Sequence, residues 1–214
     1  MKSAIAVALA LAVAVPLIKK WNPSDVPLAP ASQVAVFAGG CFWGVEAVFE
    51  HTKGVTSAIS GYAGGDVSSP SYEQVSSGET GHAESVRIVF DPSVISYEQL
   101  LDIFFTVAHD PTQLNRQGPD VGTQYRSAIF YSTPEQKKAA DAMIAKLTQE
   151  KRFSKPIVTQ VAALKGFSPA EDYHQDYMLY HPDQPYIVIN DAPKVEHLKK
   201  AFPQLYRDWS RASR

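Results

Sequence analysis

The sequence predicts an α+β domain of the ferredoxin-like type, a split βαβ two-layer sandwich with long loops. The main observation is the order of its elements, β-α-β-β-α-β, which follows from short β-rich runs and from segments whose apolar residues have helical spacing. A length of 214 residues with 45% hydrophobic residues allows one buried core. The chain shows no internal repeat and no second domain boundary. We therefore expect one folded domain over residues 33–214.

The first strand and the first helix meet at a glycine-rich turn. Residues 34–38 form a β-rich run closed by Gly39-Gly40, which predicts a buried strand that ends in a tight turn. After Cys41, apolar residues recur at helical spacing, and Gly54 ends that segment. The cysteine is therefore expected at the start of a helix.

The remaining elements follow along the chain. Further strands are predicted over residues 55–62, 85–90, 125–131 and 156–164. Ser96-Tyr97-Glu98-Gln99 has the form of a capping box and predicts the start of a second helix. Thr133-Pro134 predicts the start of a third, because proline suits the first helical position. Residues 63–81 and 110–123 are predicted to be long loops, and residues 195–206 a C-terminal packing helix.

The N-terminus differs in composition from the rest of the chain. Met1-Lys2 precedes an apolar run over residues 4–18, and Lys19-Lys20 follows it, so residues 1–20 have the form of a secretory signal peptide or a short membrane anchor. The run is shorter than the ~20 residues of a comfortable membrane span. Residues 21–32 contain three prolines and are predicted to be an extended linker. We expect an exported or membrane-anchored, periplasm-like protein; if the segment is instead a buried helix, the protein is cytoplasmic.

Charge and cysteine content exclude several classes of function. Lys and Arg number 20 against 22 Asp and Glu, a net charge of −2, which argues against a nucleic-acid partner. Cys41 is the single cysteine of the chain, so an intramolecular disulfide, a Cys-x-x-Cys redox pair and a cysteine-rich zinc site are all excluded. No common metal or nucleotide motif occurs, and we expect no metal and no bound cofactor.

The position of Cys41 favours a reactive thiolate over a buried, inert cysteine. The two glycines allow the chain to turn sharply, and the start of a helix offers free N–H groups and a positive dipole end. A thiol placed there is expected to have a pKa below its usual ~8.5. Phe42 and Trp43 add two rings beside the sulfur, which suits a small apolar or methyl-bearing substrate.

Two other classes of function stay open from the residues alone. Cys41 with His82 or His174 as base would make a cysteine hydrolase or an acyl transferase. With an inert Cys41, the chain would be a non-catalytic binding module tethered to a membrane through its N-terminus.

Six short motifs in a fixed order resemble those of A-type peptide methionine sulfoxide reductases. The first is Gly39-Gly40-Cys41-Phe42-Trp43-Gly44. The others lie at residues 61–65, 81–84, 109–112, 122–127 and 170–175. Each motif alone is weak evidence, whereas together they cover nearly everything from Val34 to about Tyr180.

The resemblance implies a role for each of seven residues. Cys41 would attack the sulfur of the S-epimer of methionine sulfoxide, and Glu84, protonated in the substrate complex, would be the acid that protonates its oxygen. The other implied roles are hydrogen bonds to that oxygen from Tyr72 and Tyr125, a pocket for the S-methyl group at Phe42 and Trp43, and support of the site by Asp120 through a tyrosine or a water.

The implied product on the protein is a Cys41 sulfenic acid, the reversible first step of thiol oxidation. Many members of the family carry further cysteines towards the C-terminus, and this chain has none. An external thiol such as thioredoxin is therefore expected to regenerate Cys41. The expected partners are this reductant and oxidised methionine, free or in proteins, and the expected oligomeric state is a monomer.

Overall fold

The structure is a computed structural model that describes residues 32–210. Residues 1–20, the predicted signal or anchor, lie outside the described residues, as do 21–31 of the predicted linker and 211–214 at the C-terminus. Among residues 32–210, no helix is long and apolar enough to cross a membrane.

The described chain forms a mixed fold of strands and helices. The strands are β1 Gln33–Gly39, β2 Val55–Ala63, β3 Ala83–Phe90, β4 Arg116–Gln117, β5 Asp120–Val121, β6 Ser127–Tyr131, β7 Gln160–Ala163 and β8 Phe167–Pro169. The α-helices are α1 Phe42–Glu50, α2 Tyr72–Ser76, α3 Tyr97–Ile103, α4 Pro134–Gln149, α5 Tyr177–Tyr180 and α6 Ala192–Ala201. Two π-helical turns, Phe104–Ala108 and Ile187–Asp191, adjoin α3 and α6.

Six strands make one sheet in the order β7-β6-β1-β3-β2-β8. The inner four, β6-β1-β3-β2, pair antiparallel throughout, which is the strand order of the predicted ferredoxin-like split βαβ arrangement. The α+β fold class is thereby confirmed. Two further strands extend the sheet: β7 runs parallel to β6 after the crossover through α4, and β8 pairs antiparallel with β2.

The two faces of the sheet carry cores of different size because successive residues of a strand point to opposite faces. On β1, Ala35 and Phe37 belong to the large core, where α1, α3 and α4 cover the sheet. Val36 and Ala38 belong to a smaller cluster on the other face. Phe37 is fully buried, and its burial contributes about 2 kcal/mol or more.

Several element boundaries differ from those expected. The predicted strand 125–131 begins at Ser127, because a 3₁₀ turn over Thr123–Tyr125 precedes it. The predicted loop 63–81 contains α2, and the predicted loop 110–123 contains the short β4–β5 hairpin. The last predicted strand, 156–164, is confined to β7, and the C-terminal helix spans α6 rather than 195–206. Strand β8 was not expected at all.

Candidate active site

Cys41 lies where the central strand β1 turns into α1. Gly40 makes the turn with φ +88, a conformation that L side chains rarely adopt, and a Cβ there would lie 2.4 Å from the Cβ of Gln117. Both facts require glycine at this position. Cys41 is the N-cap residue of α1, as expected, but it is almost fully buried, with 7% of its surface exposed.

The expected low pKa of the Cys41 thiol is wrong for the free protein. The pKa is raised well above its ordinary value, first by burial and then by the carboxyl groups of Glu84 and Asp191. Lys194 and the backbone N–H of Trp43 act in the opposite direction but are the weaker influences. The N-terminus of α1 favours a lower pKa for this thiol, but burial next to two acids outweighs that effect. The resting protein therefore holds a thiol.

Glu84 is a buried acid next to this thiol. It lies on β3, opposite Tyr62 of β2, and is 3% exposed. Its Oε2 accepts a hydrogen bond from the backbone N–H of Phe42 at 3.0 Å. Burial, and to a smaller extent Asp120 and Asp191, raise the pKa of Glu84 to about 8. The free protein thus keeps Glu84 largely protonated at neutral pH.

Aromatic rings from three segments surround the first turn of α1. Trp43 stacks on Tyr177, with ring centroids 3.8 Å apart and 8° between the planes. The indole Nε1 of Trp43 donates a hydrogen bond to Nδ1 of His174 at 3.1 Å. The His174 ring lies 5.0 Å from that of Phe42 and 4.4 Å from that of Tyr72, between centroids. The rings of Phe42, Trp43 and Tyr72 therefore share one histidine as a neighbour.

The two predicted phenols, Tyr72 and Tyr125, both lie in the electrostatic field of Glu84 and Cys41. Burial, with Glu84 as the next cause, raises the pKa of each, so both hydroxyls keep their protons and can donate hydrogen bonds. Tyr72 is the first residue of α2, and its backbone N–H donates to Glu171 at 2.8 Å. Glu171 thereby fixes the helix that carries Tyr72.

Asp120 contacts the surroundings of Trp43 through a tyrosine. The hydroxyl of Tyr186 donates a hydrogen bond to Asp120 on β5. The ring of Tyr186 meets that of Trp43 edge-on, with centroids 5.9 Å apart and 85° between the planes. The pKa of Tyr186 is raised, by burial first and by Cys41 next. No local pattern in the sequence pointed to Tyr186, because only the fold brings it to the site.

Neither histidine of the hydrolase alternative is placed to act as a base. In His82, Nδ1 accepts a hydrogen bond from Gly65 N–H at 3.3 Å, and Nε2 lies 2.8 Å from the carbonyl oxygen of Val67. In His174, Nδ1 accepts from Trp43, so Nε2 of the neutral ring carries the hydrogen. The structure thus uses both rings to hold loops and aromatic side chains in place. Within residues 32–210, no three His, Cys, Asp or Glu side chains gather in a way that could hold a metal ion.

Comparisons with known proteins agree on one family. The model of the family "Peptide methionine sulfoxide reductase" matches residues 33–206. A "Peptide methionine sulfoxide reductase MsrA 2" of Mesorhizobium japonicum is 55% identical over 184 residues, 86% of this chain and 94% of the relative. A protein of the same name from Synechocystis is 51% identical over 180 residues, 84% of this chain and 82% of the relative. The crystal structure of reduced Mxr1 from Saccharomyces cerevisiae superposes with a TM-score of 0.69 at 34% identity, and the match covers 74% of this chain and 91% of Mxr1.

Proposed function

Since the chain belongs to the peptide methionine sulfoxide reductase family, and is an oxidoreductase of that class, we propose that it reduces the S-epimer of methionine sulfoxide through a Cys41 sulfenic acid. Its substrates are oxidised methionine residues in proteins and free methionine sulfoxide. The observation that carries the proposal is the placement of a buried thiol, a protonated carboxyl group and two phenols around the first turn of one helix.

The first step transfers one oxygen atom. The Cys41 sulfur attacks the substrate sulfur while the sulfoxide oxygen gains a proton, and the oxygen then passes to Cys41 as a sulfenic acid. The substrate sulfur gains two electrons and leaves as methionine, and Cys41 loses two. Tyr72 and Tyr125 donate hydrogen bonds to the sulfoxide oxygen, where negative charge develops.

Glu84 can both give and take the proton of this step. Its Oε2 is held by the N–H of Phe42, which leaves Oε1 to carry the acid proton towards the substrate oxygen. After donation, the Glu84 carboxylate acts on the nearby Cys41 thiol. The proton of that thiol must leave as the new bond forms. We propose that this proton returns to Glu84, so that the reaction does not require a free thiolate beforehand.

The aromatic residues beside the thiol form the proposed pocket for the S-methyl group. Phe42 is buried and contributes the floor, while Trp43 is only partly buried and faces the substrate. The stack on Tyr177 and the hydrogen bond to His174 fix the orientation of the indole ring. Asp120 supports this wall through Tyr186, which meets the indole edge-on.

Regeneration of Cys41 requires two external thiols, because the chain has no second cysteine. The first thiol forms a mixed disulfide with Cys41 and releases water, and the second releases Cys41 as a thiol together with an oxidised disulfide. We propose thioredoxin as this reductant. A crystal structure of yeast Mxr1 in complex with Trx2 is a precedent for this proposal.

The proposed setting is repair of oxidised proteins outside the cytoplasm, by a monomer. It is supported by Met1-Lys2 and the apolar run over residues 4–18, which have the composition of a signal peptide or short anchor. The folded domain is proposed to begin at residue 33, after the proline-containing linker.

A single-turnover experiment tests the proposed chemistry. Reduced protein is mixed with a peptide that contains one methionine sulfoxide epimer, without added thiol, and both partners are followed by mass spectrometry. We expect the S-epimer peptide to lose one oxygen and Cys41 to gain one, trapped with a sulfenic-acid reagent. The R-epimer peptide and a Cys41→Ser variant are the matched controls. An unchanged S-epimer peptide with an alkylatable Cys41 would overturn the proposal.

A further inference from the structure

A buried ion pair that the proposed reaction does not use lies against the helix that carries Cys41. Asp191 ends the π-helical turn before α6 and is fully buried. Its Oδ1 is 3.1 Å from Nζ of Lys194 in the first turn of α6, and the Lys194 side chain is 18% exposed. A buried pair of this kind is weak evidence for stabilisation, since desolvation of the two charges offsets their attraction.

The pair approaches α1 at the one residue of its first turn that has no side chain. A Cβ on Gly44 would lie 2.1 Å from Asp191 Oδ1 and 2.8 Å from Lys194 Nζ. Gly44 is three residues after Cys41, one turn along the same helix. Its φ is not positive, so glycine is needed here for close approach and not for an unusual backbone conformation.

Both charges act on Cys41, with opposite signs. The Asp191 carboxylate raises the pKa of the Cys41 thiol, whereas the Lys194 ammonium lowers it. Within residues 32–210, Lys194 is the one cationic side chain that acts appreciably on this thiol. Other titratable groups that interact with the thiol or with this lysine are Glu84 of β3, Tyr72 of α2, His109 after α3, Tyr125 before β6 and Tyr186 before the π-helical turn. Asp120 of β5 acts on Glu84 and on Asp191.

We propose that Lys194 is a positioning residue that raises the thiolate fraction of Cys41, and that Asp191 holds the ammonium in place while opposing its effect. The inference rests on Cys41 as the nucleophile of the proposed function. It matters most in regeneration, because Cys41 must leave the mixed disulfide as a thiolate when the second external thiol attacks. A nearby cation stabilises that leaving group.

Because Lys194 and Asp191 act on the Cys41 thiol with opposite signs, their variants should shift its titration in opposite directions. A purely structural role of the pair does not predict opposite shifts. We would measure the rate of Cys41 alkylation by iodoacetamide against pH in the full chain, where all modification falls on the single cysteine. Lys194→Met should move the midpoint of this pH profile upward by about one pH unit. At pH values below the midpoint, alkylation should therefore be about tenfold slower than in wild type. Asp191→Asn should move it downward. Lys194→Arg should restore the wild-type midpoint, and Lys200→Met, an exposed site on the same helix, should leave it unchanged.

Each outcome decides the proposal. Equal midpoints for wild type and Lys194→Met, or shifts of the same sign for Lys194→Met and Asp191→Asn, would overturn it. Should Lys194→Met fail to fold by circular dichroism, Lys194→Gln takes its place, and the same upward shift is expected. Alkylation does not need substrate, so opposite shifts without reductase turnover would contradict only the proposed function. Turnover without any shift would contradict only the role of Lys194.

Discussion

Two helices of this protein begin in different ways. At α3, the Ser96 side chain accepts a hydrogen bond from Gln99 N–H at 3.2 Å, and the Gln99 side chain accepts from Ser96 N–H at 2.9 Å. At α1, Cys41 occupies the N-cap position without a side-chain cap. There the N–H group of Phe42, the first residue of the helix, donates instead to the Glu84 carboxyl group on β3.

The difference separates a helix start built for stability from one built for chemistry. The Ser96 cap satisfies its helix with uncharged groups from adjacent residues, which contributes about 1 kcal/mol. At α1, the N–H of Phe42 holds an acid beside a thiol, and burial disfavours the charged forms of both. Such an arrangement lowers stability at high pH, and it keeps a proton and a nucleophile side by side. Local capping rules are thus broken where the proposed chemistry takes place.

The largest effect is expected from Cys41→Ser, which gives both helices a serine at the N-cap position. Reductase turnover should fall by more than about 10³-fold, because the attacking sulfur is lost. Serine is a good N-cap residue, so the free energy of unfolding should stay within about 1 kcal/mol of wild type or rise. Coupled turnover assays and urea denaturation measure the two quantities. A variant with more than a tenth of wild-type turnover would exclude Cys41 as the nucleophile.

Glu84→Gln should remove the acid while keeping an acceptor for Phe42 N–H. We expect kcat to fall by about 10²- to 10³-fold, in the range of one general acid. Wild-type activity should decline as the pH rises through about 8, where Glu84 loses its proton, and the residual activity of the variant should lack that decline. Rates measured from pH 6 to pH 10 test both points. Full turnover by the variant across this range would contradict the role of Glu84.

The same variant tests the stability cost of the α1 arrangement. The folded protein has Glu84 with a pKa of about 8, whereas an unfolded chain has a glutamate near its ordinary value, about 4.3. Between these values the folded state holds a proton that the unfolded state has lost, so raising the pH removes stability, on the order of 4 kcal/mol across the window. Relative to wild type, Glu84→Gln should gain stability from pH 5 to pH 9. A constant difference would contradict the raised pKa.

The smallest effect is expected at the other helix start. Ser96→Ala should cost about 1 kcal/mol of unfolding free energy, because the cap of α3 loses its acceptor. Reductase activity should be unchanged. Urea denaturation and turnover assays on the same preparation measure both. A loss of turnover in the folded variant would show that the two helix starts are not independent.

The inner sheet and the helices packed on it were predictable because their signals are local. Alternating apolar residues gave β3, and the capping box at Ser96 gave the start of α3. Helix α2 was missed although Ser71-Tyr72-Glu73-Gln74 repeats the same four residues as Ser96–Gln99 and forms the same capping box. The helix that this box begins has only five residues, and the glycines and serines around it favoured a loop. Strand β8 spans three residues and ends in proline, which gives almost no pattern.

Within the site, Cys41 and Glu84 were predictable and their electrostatics were not. The start of a helix favours a low thiol pKa, but the carboxyl groups that reverse it come from β3 and from the turn before α6. Tyr186, Asp191 and Lys194 have no signal in their neighbourhood of the sequence, because their positions depend on how the C-terminal segment packs on α1. Tertiary contacts alone decide such features.

The pairing of β8 with β2 has a consequence for how the protein is made. Residues 61–63 of β2 meet their partners only when residues 167–169 have been synthesised, and Glu171, His174, Tyr186 and Lys194 follow later still. A chain still growing on the ribosome therefore carries Cys41 and Glu84 before it carries Tyr186, Asp191 and Lys194. The last fifth of the chain holds Glu171, His174, Tyr186 and Lys194, so a product stopped early by damaged messenger RNA or a stalled ribosome would carry the thiol without these supporting contacts.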